Sequence, residues 1–249
     1  MARKKGKGGG KRKRAQQRAQ YDELDKYPVI PPHAFARIVR DKQTLNILYQ
    51  IIEPPLTKKE QEQREEIMDI FIRSLTANIE EIDADPDAYL RTALDKVIKS
   101  YGMKINKKSK SKMFYYLRRD LIGYGKMDML MHDINVEDIS LDGTNVPIFA
   151  YHRKFESIET TCVWETDQEL ESYVIKLAQR CGKHISVAEP LLDATLMDGS
   201  RIVMKLGREI STRGSAFCIR RFKDDPFSPA DIVAFRTMSS LMAAYLWVC

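Results

Sequence analysis

Residues 193–222 read DATLMDGSRIVMKLGREISTRGSAFCIRRF. Two runs in this stretch, 201–206 and 215–222, alternate apolar and polar residues, and the turn signals Asp198-Gly199 and Arg213-Gly214 punctuate them. Alternation at period two predicts strands. In the first, Ile202, Met204 and Leu206 share one face, and Arg201, Val203 and Lys205 share the other. In the second, Phe217 and Ile219 oppose Ala216, Cys218 and Arg220, so Arg220 and Arg221 point in opposite directions. Guanidinium groups are costly to bury unpaired, which predicts an outward face where Arg201, Arg220 and Lys205 meet an anion or a partner. From spacing alone, the plainer reading is a solvated face with salt bridges to Asp193, Asp198 or Glu209.

Upstream, helices are punctuated clearly. Thr57 and Glu60 form a capping-box pattern before the apolar stripe Ile67, Ile70, Phe71, Leu75. Asp85 and Pro86 start a second helix with Leu90, Ala93, Leu94, Val97 and Tyr101 inside, and Gly102 stops it. A third is expected over about 109–122, ending at Gly123. Before them, Ala34–Val39 and Leu45–Ile52, joined at Asp41-Lys42, read as a hairpin. After them come short strands at Glu137–Leu141, Pro147–Tyr151 and Ile158–Trp164. A helix then follows, which Thr166 and Glu169 cap as a second box and Gly182 ends. The expectation is the α+β class: a helix-rich module, then an α/β module with a mainly antiparallel sheet. The boundaries read as 1–20 basic tail, 21–124 helix-rich module with a short hairpin, 125–222 α+β module, and 223–249 linker.

The chain has 249 residues and a formal charge of +6, unevenly placed. Of its 41 Lys and Arg, nine lie in the first 20 residues, which hold no acid; the other 32 face 35 Asp and Glu. The tail, with Lys4, Lys5, Lys11, Arg12, Lys13 and Arg14, cannot bury a core and is expected to be unstructured. Such a tail either stays solvated or attaches to an anionic surface, lipid or nucleic acid. Its lack of aromatics to stack on bases disfavours single-stranded nucleic acid. No signal peptide and no apolar run of spanning length is present, so an intracellular, soluble protein is expected. Cys162, Cys181, Cys218 and Cys249 form no CxxC pair and read as reduced, mostly buried thiols.

The sequence lacks GxxxxGK[ST], GxSxG, HExxH and an EF-hand loop. His33, His132, His152 and His184 are scattered and read as structural. Glu137-Asp138 reads as a turn cap sooner than as a metal pair, and no metal site is expected. As an isolated chain this is a poor candidate for an enzyme.

A set of motifs nevertheless occurs in order along residues 27–249. They are Tyr115-Tyr116 with Arg119-Asp120, Gly123-Tyr124-Gly125-Lys126-Met127-Asp128, Glu137-Asp138-Ile139-Ser140, Asp142-Gly143 and Tyr151-His152-Arg153. They continue through Gly182-Lys183-His184-Ile185-Ser186, Asp193-Ala194-Thr195-Leu196, Asp198-Gly199-Ser200-Arg201, Arg213-Gly214-Ser215, Ile219-Arg220-Arg221-Phe222 and Ala244-Tyr245-Leu246-Trp247. This pattern resembles the archaeal type II/IV secretion ATPases, most closely the archaellum motor ATPase. Met197 departs from the family's usual proline, and Cys218 and Arg221 are mild variants.

The resemblance implies a hexameric ring of two-domain subunits. The present chain would match the amino-terminal half, and the RecA-like half with its P-loop would lie beyond Ala244–Trp247. It implies that Arg201 and Arg220, with Arg213 and Arg221 as second-rank candidates, reach ATP and Mg²⁺ held by the motor half. Pro229 and Asp231 would belong to the hinge, and residues 1–249 alone would hydrolyse little ATP. The implied partners are copies of the same chain, an integral membrane platform protein and other archaellum components, at the inner face of the membrane, with anionic lipid near the tail. The rival expectation is a stand-alone interaction or regulatory module with a membrane- or nucleic-acid-binding tail.

Overall fold

Among the described residues, nine strands form one sheet in the order β1-β2-β3-β6-β5-β4-β9-β8-β7. The computed structural model describes residues 20–74, 85–222 and 227–248. The six basic tail residues named above, Cys249 and linker residues 223–226 lie outside them. The strands are β1 (Tyr21–Ile30), β2 (Ala34–Asp41), β3 (Ile47–Ile52), β4 (Val136–Leu141), β5 (Pro147–His152), β6 (Glu156–Val163), β7 (Leu191–Thr195), β8 (Arg201–Lys205) and β9 (Ala216–Arg220). All neighbours pair antiparallel except β3 and β6. The protein is therefore α+β with a mainly antiparallel sheet, as expected.

The hairpin expected at 34–52 is the inner part of a three-stranded meander. Its third strand runs parallel to β6 through Leu48↔Glu159 and Tyr49↔Thr160. The sheet thus crosses the expected 124/125 boundary. Two strands escaped the sequence reading. β1 is an edge strand whose acidic residues and Pro28 blur the alternation, with register shifts at Glu23/Asp25 and Pro28/Ile30. β7 is only five residues long.

Three helices, α1 (Lys58–Ser74), α2 (Pro86–Ser100) and α3 (Lys107–Leu117), enclose a small core of Ile67, Phe71, Leu90, Leu94, Val97, Met113 and Leu117. Their starts are local chemistry. Thr57 Oγ1 accepts from Glu60 N at 3.2 Å while Glu60 Oε2 accepts from Thr57 N at 2.8 Å, so both bonds of the capping box form. Asp85 caps α2 with Pro86 at its first position. α3 begins two residues earlier than expected because Asn106 Oδ1 accepts from Ser109 N at 2.8 Å. Its end widens over Arg118–Ile122, where Gly123 N bonds back five residues to Arg118 O.

The larger core lies on the inner sheet face, under α4 (Asp128–His132) and α5 (Asp167–Arg180). Trp164 meets Tyr173 of α5 and Phe217 of β9, with ring centroids 4.8 and 5.9 Å apart. The expected box at the start of α5 is half formed: Thr166 accepts from Glu169 N, but the Glu169 carboxylate turns to Lys126 at 2.6 Å. Cys162 is buried and Cys181 half-buried, but Cys218 is exposed, a correction to the buried-thiol expectation. The reason is alternation: Cys218 shares its face with Arg220, not with Phe217. Among the described residues no helix is long and apolar enough to cross a membrane.

Candidate functional site

The DGSR turn and the IRRF strand end are clamped together. Asp198 Oδ1 accepts from Ser200 N at 3.1 Å, and buried Ser200 Oγ accepts from Phe222 N at 3.0 Å. Gly199 sits at φ +85°, with the Phe222 ring 3.3 Å from where a Cβ would stand, so a side chain there would be both strained and crowded. The clamp brings the start of β8 beside the end of β9.

Arg201 and Arg220 are consequently direct cross-strand partners. Both leave from the face away from the core; their side chains are 74% and 80% exposed. The same rank continues as Thr195 on β7 and as Asp138 and Tyr151 on β4 and β5. Two like charges face each other on adjacent strands, a repulsive arrangement unless an anion lies between them. Each arginine has one carboxylate neighbour: Asp193 is 3.8 Å from Arg201, without a hydrogen bond, and Asp138 accepts from Arg220 Nε at 3.2 Å. Exposed pairs of this kind contribute about 0–1 kcal/mol, so a phosphate could recruit either guanidinium. The solvated-face reading is thus partly realised at Asp193, whereas Asp198 is spent on Ser200.

Arg221 and Arg213 do not join this pair. Arg221 leaves from the other face, half-buried, and its guanidinium donates to the Val136 carbonyl at 2.9 Å and to that of Asp133. Arg213 sits in the β8–β9 loop, at the far end of strands that rise about 3.4 Å per residue, roughly 14 Å from Arg201. Its carbonyl accepts from Thr144 N at 3.0 Å, and a Cβ on Gly143 would lie 2.2 Å from that oxygen. The motif there is a tight backbone contact between two turns. The Glu137-Asp138 pair neither caps nor clusters: Glu137 pairs with Arg153 at 2.9 Å, and Asp138 with Arg220.

Around the arginines the sheet face carries Tyr151, Val203, Phe222 and Met197, all substantially exposed. Asp138 and Tyr151 were missed as neighbours of the arginines; alternation on β4 and β5 places them once the register is known. Within the stretch expected as linker, α6 (Pro229–Ala234) starts with a full capping box between Ser228 and Asp231. The last helix, α7 (Ser240–Val248), is apolar all round and exposed all round, with Leu241, Tyr245 and Trp247 at 80%, 71% and 81%. A helix of that composition belongs inside a larger core.

No protein-family model matches the chain. "Uncharacterized protein MJ1288" of Methanocaldococcus jannaschii is 41% identical over 164 residues, which is 66% of this chain and 65% of that protein. "Uncharacterized protein MJ0900" of the same archaeon is 32% identical over 228 residues, 90% of this chain and 40% of that protein. The chain therefore spans less than two thirds of the length of these relatives. Among solved structures, the VirB11 ATPase from the Brucella suis type IV secretion system, in complex with sulphate, covers 50% of this chain and 36% of its own. The TM-score there is 0.38 at 15% identity.

Proposed function

We propose that this chain is the amino-terminal, nucleotide-facing part of a secretion-type motor ATPase of the archaellum or type IV pilus class. In this reading Arg201 and Arg220 close over the phosphates of ATP and Mg²⁺ bound to a RecA-like domain. The observation that carries the proposal is the exposed cross-strand arginine pair, held in register by the Ser200–Phe222 clamp and paired only at the solvent-exposed surface, with Asp193 and Asp138. Two supports stand beside it. The motif order along residues 27–249 resembles that of the archaeal secretion ATPases. The bare apolar α7 calls for further protein to cover it.

In the proposed cycle the arginines supply charge to the phosphates across a domain gap, and Pro229 and Asp231, at the capped start of α6, belong to the hinge. Closing the gap would convert nucleotide binding into domain rotation in a homohexameric ring. The ring would work against an integral platform protein at the inner membrane face, with the basic tail drawn to anionic lipid. The test is ATP hydrolysis by the chain combined with a P-loop domain of this ATPase class. Arg201→Ala and Arg220→Ala are expected to lower turnover by on the order of 10³-fold, as arginines supplied to phosphoryl groups do elsewhere. Turnover insensitive to both substitutions, or robust hydrolysis by the 249 residues alone, rejects the proposal.

A further inference from the structure

The helical module meets the sheet across a cavity of about 630 Å³, between α2, α3 and the Pro31-Pro32 turn that joins β1 to β2. That volume lies within the roughly 300–1,000 Å³ of small-molecule sites. Five ring side chains line it, Pro31, Pro32, His33, Phe114 and Tyr115, with Leu94 beside them. Walls of this kind fit a flat apolar body. His33 Nε2 and Ser111 Oγ, 3.1 Å apart, set one polar pair among the rings.

The charges of the lining do not balance. Arg91, Lys107, Lys110 and Arg118 stand against two carboxylates, Asp87 and Asp95. Both carboxylates are engaged across the seam between the helices: Asp87 accepts from Arg118 Nε at 2.8 Å, and Asp95 pairs with Lys110. Between these two rungs stands a third that has no acid. There Arg91 of α2 lies 4.2 Å over the Phe114 ring of α3. Arg91 and Lys107 are exposed, and neither pairs with a carboxylate among the described residues. The exposed acids Glu66 and Asp69 of α1 do not compensate them, because they line a separate cavity beside Tyr101.

We propose that this cavity binds a small planar aromatic anion, its ring among the proline, phenylalanine and tyrosine walls and its carboxylate or phosphate on Arg91 and Lys107. A guanidinium stacks on a ring and donates in its own plane at once, so Arg91 can take the anion without leaving Phe114. An aryl carboxylic acid and a nucleoside monophosphate share this chemistry. Either would touch the β1–β2 turn and both helices, and so hold the helical module to the sheet. The inference is independent of the role proposed for the arginine pair, because no lining residue belongs to β8 or β9.

Amide chemical shifts of the whole chain locate the binding, with 2-naphthoate, its neutral amide, cyclohexanecarboxylate and AMP as probes. Naphthoate is expected to move the amides of Leu94, Ser111 and Phe114 saturably, with a Kd of about 1 mM or below. The neutral amide and the non-planar cyclohexanecarboxylate should each bind about tenfold or more weakly, since one lacks the charge and the other the flat ring. Arg91→Ala/Lys107→Ala should weaken naphthoate about tenfold or more. Arg91→Lys, which keeps the charge and gives up the stack, should weaken it about two- to fivefold. Arg201→Ala/Arg220→Ala should bind as wild type does, which separates this site from the arginine pair. AMP that moves the same amides supports the site and names a nucleoside monophosphate as the source. Naphthoate binding without AMP binding supports it and names an aryl acid. Four results would each overturn the proposal: no saturable shift with naphthoate and AMP alike; shifts confined to α7 or to β8 and β9; an amide or a cyclohexane acid that binds as tightly as naphthoate; or an Arg91→Ala/Lys107→Ala variant that binds like wild type. Circular dichroism identifies variants that remain folded. If the double variant does not, Arg91→Lys takes its place, and naphthoate affinity equal to that of wild type is then the overturning result.

Discussion

Tyr27 donates a 2.6 Å hydrogen bond to the carboxylate of Asp133, 106 residues further along the chain. Tyr49 donates to the same oxygen at 2.6 Å, Asn135 N donates to the other at 2.9 Å, and Asp133's carbonyl receives the Arg221 guanidinium. One buried aspartate thus ties β1, β3, the turn before β4 and the exit of β9. Its carboxylate depends on the tyrosine hydroxyls. Tyr49→Phe is expected to cost about 1.5–3 kcal/mol, because Tyr49 is fully buried and no water replaces its hydroxyl. Tyr27→Phe, at a half-buried position, is expected to cost less. Urea unfolding gives both values; equal costs would show that burial does not set the difference.

His152 extends this network and makes it sensitive to pH. Its Nδ1 accepts from Lys154 N at 3.1 Å, so the ring proton sits on Nε2, 3.0 Å from the Tyr27 hydroxyl. Burial holds the imidazole pKa below the usual 6.5, against the pull of Asp133 and Asp25. A group whose folded pKa is depressed in this way binds fewer protons folded than unfolded. Its contribution is therefore whole above about pH 6.5 and is lost as the pH falls below that value. His33 shifts in the same direction by burial and adds to the same window. His152→Phe should flatten the dependence of unfolding free energy on pH between about 7 and 5.5 relative to wild type, whatever it does to stability at pH 7. An unaltered slope would remove His152 from the account.

A second, more acidic window belongs to Glu60. The Thr57 amide, then the Ser109 hydroxyl and Lys112, hold its carboxyl at about 2. Stability from this group is whole above the ordinary 4.5 and is lost as pH falls from there toward 2. Glu60→Gln keeps the cap's shape but not its charge. It should weaken the module by about 1 kcal/mol at neutral pH and by progressively less below pH 4.5, read from paired urea titrations.

The helix starts were legible because their chemistry is local: Thr57 with Glu60, Asp85 with Pro86. Strand alternation likewise put Arg201 and Arg220 on one side and Arg221 on the other, and it put Cys218 beside Arg220, at odds with the buried-thiol expectation. What stayed hidden depends on distant residues. β1 reads as polar because it is an edge strand, and nothing near Leu48 announces a parallel partner at Glu159. Arg213 was a second-rank candidate on the family resemblance alone, which carries no register. A hairpin of two five-residue strands places its loop at the opposite end from its mouth. The GYGKMD motif was visible as a pattern, but its work is structural, as its first glycine indicates.

Gly123 has an ordinary φ of −75°, yet a Cβ there would stand 2.2 Å from Asp128 Oδ1 and 2.8 Å from the Arg119 carbonyl. Asp128 is buried and fixed by the Tyr124 amide at 2.8 Å, so neither neighbour can yield. Gly102 is the reverse case, with φ +60° and open space around it. Gly123→Ala is expected to cost about 3 kcal/mol by overpacking, and Gly102→Ala only about 1 kcal/mol of backbone strain. Comparable costs would mean that crowding at Asp128 is not what reserves position 123 for glycine.

Arg220 and Arg221 separate stability from function within two adjacent residues. Arg221→Ala withdraws a guanidinium from the Asp133 and Val136 carbonyls and loosens the node that Tyr27 and Tyr49 share. A loss of about 1.5–3 kcal/mol is expected, the usual range for a hydrogen bond to a charged group. Arg220→Ala gives up only an exposed pair with Asp138 and relieves repulsion from Arg201, so its unfolding midpoint should stay within about 0.5 kcal/mol of wild type. The same holds for Arg201→Ala. In hydrolysis assays with a P-loop domain the order should invert, with Arg201 and Arg220 costly and Arg221 milder at temperatures where the variant remains folded. If Arg220→Ala destabilises as much as Arg221→Ala, the outward pair is part of the fold and not a face held ready for phosphate.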